Sequence, residues 1–153
     1  MRDGLAVVAE GAWGGRGGLS LVDVSVPDMP WTVAHHRLPG PGHAVAQANG
    51  YAYLAYQNGL LVLDLSHPAE PVETARLSLP AAARALVVED GHLYLAADGL
   101  RVYDLADPAR PRQVAHVPLS FSLYSIVAHK GRVYLAEVFC EMWGCWSTPS
   151  RVR

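Results

Sequence analysis

One phrase recurs three times in this chain. It reads Gly18-Leu19-Ser20-Leu21-Val22-Asp23-Val24-Ser25-Val26-Pro27-Asp28-Met29-Pro30, then Gly59-Leu60-Leu61-Val62-Leu63-Asp64-Leu65-Ser66-His67-Pro68-Ala69-Glu70-Pro71, then Gly99-Leu100-Arg101-Val102-Tyr103-Asp104-Leu105-Ala106-Asp107-Pro108-Ala109-Arg110-Pro111. Asp23 to Asp64 is 41 residues and Asp64 to Asp104 is 40. A period of about 40 residues marks a repeat architecture, in which each unit buries its apolar face only against its neighbours. The repeat constrains the fold before any other feature, and it names neither a reaction nor a ligand.

Within each repeat the apolar residues alternate or run in short blocks bounded by Gly, Pro, Asn and Asp. That is strand patterning, and no segment of ten or more residues carries a helical period. Four segments recur. Ala44-Val45-Ala46-Gln47-Ala48 is matched by Ala85-Leu86-Val87-Val88-Glu89 and Ser125-Ile126-Val127-Ala128-His129. Asn49-Gly50, Asp90-Gly91 and Lys130-Gly131 follow; the first two are strong hairpin signals, because a type I′ turn needs positive φ at both central residues. Tyr51-Ala52-Tyr53-Leu54-Ala55, His92-Leu93-Tyr94-Leu95-Ala96 and Arg132-Val133-Tyr134-Leu135-Ala136 form the second segment. The recurring phrase is the third. Thr32 to Leu38, Val72 to Leu79 and Gln113 to Leu119 form the fourth, with His35, Arg76 and His116 in one column.

Small apolar residues on both faces suit the first segment to the most buried strand, and the polar column suits the fourth to an outer one. The expected fold class is therefore all-β, with β-propeller-type four-stranded antiparallel blades. The prolines after each Asp hold the chain extended and remove donors, as a connection to an edge strand requires. Asp23, Asp64 and Asp104 are read as turn residues, since Asp side chains bond nearby backbone.

At 153 residues the chain is long enough for one sizeable core. Chains of this size remove roughly 70% of their unfolded surface from water. Twelve Lys and Arg against 14 Asp and Glu argue against nucleic acid or an anionic membrane surface as the dominant partner. No stretch approaches the 18 or so apolar residues of a membrane span. Met1 to Glu10 places Asp3 where a leader would be basic, and its apolar run is short, so no signal peptide is expected and the chain as written reads as cytoplasmic. Cys140 and Cys145 do not make a disulfide framework and lack the spacing of a zinc site; whether they pair stays open, and neither metal nor cofactor is expected.

The residues Leu21-Val22-Asp23-Val24, Leu61-Val62-Leu63-Asp64 and Arg101-Val102-Tyr103-Asp104, each followed by a small-residue strand and by Tyr-Leu-Ala or its like, resemble the LVIVD repeat family. The resemblance runs from Leu5 to about Ala136. It implies a β-propeller of the kind found in bacterial or archaeal surface and secreted proteins, and it carries no shared catalytic motif. By this alignment a partial blade spans 5–38, full blades span 43–79 and 84–119, a partial blade spans 124–137, and 138–153 is an irregular tail. Leu5 aligns with Tyr51, so the chain opens on the second strand of a blade. Thirteen strands in about three blades fall short of an ordinary closed ring. Three arrangements are compatible with an incomplete ring: a piece of a longer propeller, several copies in one ring, or an open array. Uncovered blade edges and faces predict association, including homo-oligomers.

Propeller ligands commonly meet the loops that lead into the innermost strand and those that join the second strand to the third. His43, Arg84 and Tyr124 share one repeat position on the former; Glu10 and Glu137 align on the latter, where Trp13 lies in the Gly-rich segment Gly11 to Gly18. These six are the candidate ligand-binding residues, and no catalytic residue is assigned. Gly11 to Gly18 lacks the Gly-Lys-Ser/Thr ending of a phosphate loop, and no Gly-x-Ser-x-Gly elbow is present. The expected function is a non-catalytic scaffold for a protein or carbohydrate-like ligand. The alternative is a hydrolase- or lyase-type enzyme at the channel mouth, using His43, Arg84 and Glu10 or Glu137.

Overall fold

The structure, a computed structural model, describes residues 4–13, 16–119, 122–141 and 144–151, with side chains over 4–11, 17–119 and 123–136. Among the described residues fourteen strands form four antiparallel sheets. The first holds β1 (Leu5–Trp13), β2 (Arg16–Asp23) and β3 (Trp31–Leu38). The second holds β4 (Gly42–Ala48), β5 (Tyr51–Tyr56), β6 (Gly59–Asp64) and β7 (Val72–Ser78). The third holds β8 (Ala85–Glu89), β9 (His92–Ala96), β10 (Gly99–Asp104) and β11 (Arg112–Pro118). The fourth holds β12 (Ser122–His129), β13 (Arg132–Glu141) and β14 (Gly144–Arg151). Each sheet is a meander, and the described residues contain no helix. β1 lies against β4, β4 against β8, and β8 against β12, so the sheets fan about their innermost strands as propeller blades do.

Local chemistry repeats with the sequence. Asn49 and Gly50, Asp90 and Gly91, and Lys130 and Gly131 all take positive φ, the type I′ geometry the dipeptides call for. The carboxylates of Asp23, Asp64 and Asp104 accept the amides of Ser25, Ser66 and Ala106 at 2.8, 2.7 and 2.8 Å. The residue after each Asp then donates its amide to a hairpin glycine: Val24 to Gly4, Leu65 to Gly50 and Leu105 to Gly91. One carboxylate thus turns the chain out of the third strand while the next amide ties that turn to the blade. Gly4, at φ 90°, is the first blade's copy of the hairpin glycine. A bulge follows at one position in three outer strands, where Val33, Thr74 and Val114 have no partner in the ladder.

Period-2 alternation divides the strands between two cores. On β5, Ala52, Leu54 and Tyr56 join Leu19, Leu21 and Leu38 of the first sheet. Tyr53 and Ala55 of the same strand join Leu93, Leu95 and Tyr103 of the third. A third core sets Leu100 and Ala96 against Leu123, Ile126 and Leu135. Burial on both faces explains why β5 and β6 read as unbroken apolar runs, and full burial of each Leu contributes about 1.5–3 kcal/mol.

The two end sheets keep one open face each. Val8 is 47% exposed on the first, and Val127 and Tyr134 are 57% and 40% exposed on the fourth. Tyr134 therefore departs from Tyr53, with which it aligns and which is fully buried. The tail from residue 138, expected to be irregular, is strand: β13 runs to Glu141 and pairs with β14 from Tyr134↔Arg151 to Glu141↔Gly144. The glycine-rich segment after Glu10 is likewise largely strand, with Trp13 opposite Arg16. A free strand edge offers unpaired amides and carbonyls that a following segment satisfies with its own backbone, so neither hairpin depends on the repeat phrase.

Candidate functional site

The loops that lead into the innermost strands bring one repeat position to the surface three times. Gly42 pairs with Tyr56 and Ala44 with Ala55, leaving His43 between them without a partner. Leu123 pairs with Glu137 and Ser125 with Ala136, leaving Tyr124 in the same state. Arg84 stands just before β8, its amide donating to Ala96 at 2.9 Å. A bulge turns one side chain out of the alternation. His43, Arg84 and Tyr124 are all exposed, Tyr124 at 68%, while Gly42, Ala83 and Leu123 just before them are buried. The ion pairs of the described residues lie elsewhere.

Glu10 belongs to a different constellation. Its carboxylate accepts the Ser20 hydroxyl and meets His35 Nε2 at 2.9 Å, across three adjacent strands. Ser20 first, and His35 after it, hold the Glu10 carboxyl below its ordinary 4.5. Neither His43 nor Arg84 is among its hydrogen-bond partners. Gly18 permits the arrangement: a Cβ there would fall 2.6 Å from His35 Nε2. A cavity of about 230 Å³ beside it is lined by Glu10, Gly17, His35, Arg37 and Leu38. The carboxylate sits between hydroxyl and imidazole, whereas serine activation needs the imidazole between hydroxyl and acid.

The outer strands of the next two sheets carry a base at the position of His35, each with an acid from a different repeat position. Arg76, over the Tyr56 ring, bonds Glu73 at 2.7 and 2.9 Å. Arg101 bonds Asp98 twice at 2.7 Å, with His116 Nε2 at 3.7 Å from the same carboxylate. The Arg101 guanidinium leads the causes that hold Asp98 below its ordinary value. The basic outer-strand column recurs in three sheets, but its acid is Glu10 on β1, Glu73 on β7 and Asp98 between β9 and β10, so the Glu10–His35 pair is particular to the first sheet. Sequence reasoning assigned His35 to outer surface and missed its partner, 25 residues away; the aligned polar column was the available signal.

The backbone of Glu137 pairs with Leu123 and Thr148, and that of Trp13 with Arg16. The side chains of both lie outside the described residues. Among the described residues no three His, Cys, Asp or Glu side chains group as metal ligands.

The second sheet and its approach loop carry the complete repeat unit, and residues 39–78 match the family model for the LVIVD repeat. By that match this unit is similar to an LVIVD repeat. LVIVD repeats form β-propeller blades, in keeping with the four-stranded sheet seen here. The crystal structure of the computationally designed Ika4 protein is similar over 96% of this chain and 86% of that one, with a TM-score of 0.67. At 12% identity the likeness is one of fold alone. In all, 182 solved chains match, so the architecture around the LVIVD-like unit selects no single function. No curated protein matches the chain. No helix among the described residues is long and apolar enough to cross a membrane.

Proposed function

We propose that this chain is a non-catalytic β-propeller repeat scaffold. It binds a protein or carbohydrate-like partner at the mouth of its inner strands through His43, Arg84 and Tyr124. The observation that carries this reading is the bulged or strand-opening position repeated in three blades. It holds a different polar, exposed side chain each time, above neighbours that stay small, apolar and buried. A rigid sheet edge presenting an imidazole, a guanidinium and a phenol supplies one fixed cationic donor, a further ring-nitrogen hydrogen-bonding group and a stacking surface without ordering any flexible loop. The direct bonds of Ser20 and His35 to the Glu10 carboxylate favour binding over chemistry.

Affinity electrophoresis against a panel of soluble neutral and acidic polysaccharides tests the reading. The expected result is retardation by at least one of them, lost in the His43→Ala, Arg84→Ala, Tyr124→Ala triple variant at unchanged melting temperature. Equal mobility of wild type and variant in every gel overturns it. Release of new reducing ends would replace it with the hydrolase reading.

A further inference from the structure

The seam between the first and second sheets lacks a part that the next seam has. Between the second and third sheets, the buried Tyr53 donates its hydroxyl to the Pro108 carbonyl at 3.0 Å, and Tyr51 packs against the same core. The hairpin glycines set the correspondence. Tyr53 lies three residues after Gly50, and Val7 lies three after Gly4. Leu5 likewise stands for Tyr51, and Pro68, four residues after Asp64, stands for Pro108. Leu5 and Val7 pack toward the second sheet, as the two tyrosines pack toward the third. Two aliphatic side chains thus replace two phenol rings.

A cavity of about 330 Å³ opens there, lined by Leu5, Asp23, Trp31 and Val33 of the first sheet and by Pro68 and Ala69 of the turn after β6. That volume suits a small organic ligand. Among the described residues no group donates to the Pro68 carbonyl. Trp31, 58% exposed, offers a ring for stacking. The Ser25 hydroxyl, then its amide, hold the Asp23 carboxyl below its ordinary 3.8, so this wall repels an anion. In the next seam the same place is filled from β5 although β4 is paired to its inner edge. A strand paired to the inner edge of β1 would therefore leave the cavity as it is.

We propose that this seam is a binding site for a small neutral phenol, whose ring takes the place of a tyrosine side chain and whose hydroxyl donates to the Pro68 carbonyl. The site is separate from the rim of His43, Arg84 and Tyr124 and does not rest on the binding reading given for it.

Titration of the isotope-labelled full chain with p-cresol, followed by two-dimensional NMR, tests the proposal. Saturable shifts are expected at the Leu5, Trp31 and Ala69 amides. Toluene lacks the hydroxyl and is expected to bind about fivefold more weakly. Benzoate, an anion, is expected to leave the spectrum unchanged. Val7→Tyr supplies ring and hydroxyl from within the chain. It is expected to abolish p-cresol binding and to raise the melting temperature by about 2–4 °C. Should that variant fail to fold, Trp31→Ala changes an exposed position and is expected to weaken p-cresol binding about threefold at unchanged melting temperature. No saturable shift up to about 10 mM p-cresol, shifts centred elsewhere, or equal affinity for toluene or benzoate overturns the proposal. So does undiminished p-cresol binding in folded Val7→Tyr or in Trp31→Ala.

Discussion

The Tyr53 hydroxyl reaches out of its own sheet and donates to the Pro108 carbonyl of the next, 55 residues away, at 3.0 Å. This bond joins two repeated features, the tyrosine of the second strand and the proline turn after the third, across the seam between blades. Tyr53→Phe keeps the ring and leaves that carbonyl without its donor. Urea denaturation is expected to show a loss of about 1 kcal/mol. Tyr53→Ala, which also opens a cavity, is expected to lose about 3–5 kcal/mol.

The same hydroxyl makes the fold sensitive to alkali. Burial, ahead of the nearby Tyr51 and Asp107, pushes Tyr53 from 10.0 up to about 12. A proton held more tightly in the folded state stabilises fully below pH 10 and progressively less as pH rises toward 12. Melting temperature is expected to fall across that window, and to fall less steeply in Tyr53→Phe. Parallel slopes in the two proteins would count against it.

Glu10 acts in the opposite direction. With its carboxyl held below 4.5, the folded state favours the charged form, so its contribution is present above that pH and is lost as pH falls through the lowered value. The pair is half exposed, which limits Glu10→Gln to about 1 kcal/mol or less at neutral pH. The difference in denaturation midpoint between wild type and Glu10→Gln is expected to shrink steadily as pH falls below 4.5.

Gly99 opens the third copy of the recurring phrase at φ 124°, where a Cβ would run into the Val117 carbonyl. Both the dihedral and the clash oppose any side chain. Gly99→Ala is expected to cost about 1–3 kcal/mol in chemical denaturation. Gly91→Ala, with open space around its Cβ position, meets only the dihedral term and is expected to cost less.

Lys130 holds positive φ in the hairpin where its counterparts are Asn49 and Asp90. Lysine has no short side chain to ease the left-handed region. Lys130→Asn is expected to raise stability by about 1 kcal/mol. The Lys130 amide bond to Glu89 is backbone-borne and survives the change.

Much of this protein was legible because its repeat writes local chemistry three times over. Period-2 alternation, Asn-Gly and Asp-Gly dipeptides, and the Asp ahead of paired prolines act within a few residues, so the sheets, hairpins and Asp-held turns follow from sequence alone. Asp3-Gly4 was equally readable and was overlooked, because one copy at the chain's edge lacks the flanking strand that makes the signal stand out.

What only the tertiary structure decided is which residues meet across strands and sheets. Alternation shows that Tyr53 and Leu54 face opposite ways; the fanning of the sheets decides that each way holds another blade, while Tyr134 and Val8 face water. Inter-strand register brings His35 to Glu10 and leaves His43 and Tyr124 bulged and turned outward. Strand β14 exists because an edge of β13 was free to pair, a backbone demand that no side-chain pattern records. Such outcomes depend on long-range geometry, and a sequence encodes that geometry only through the sum of all its contacts.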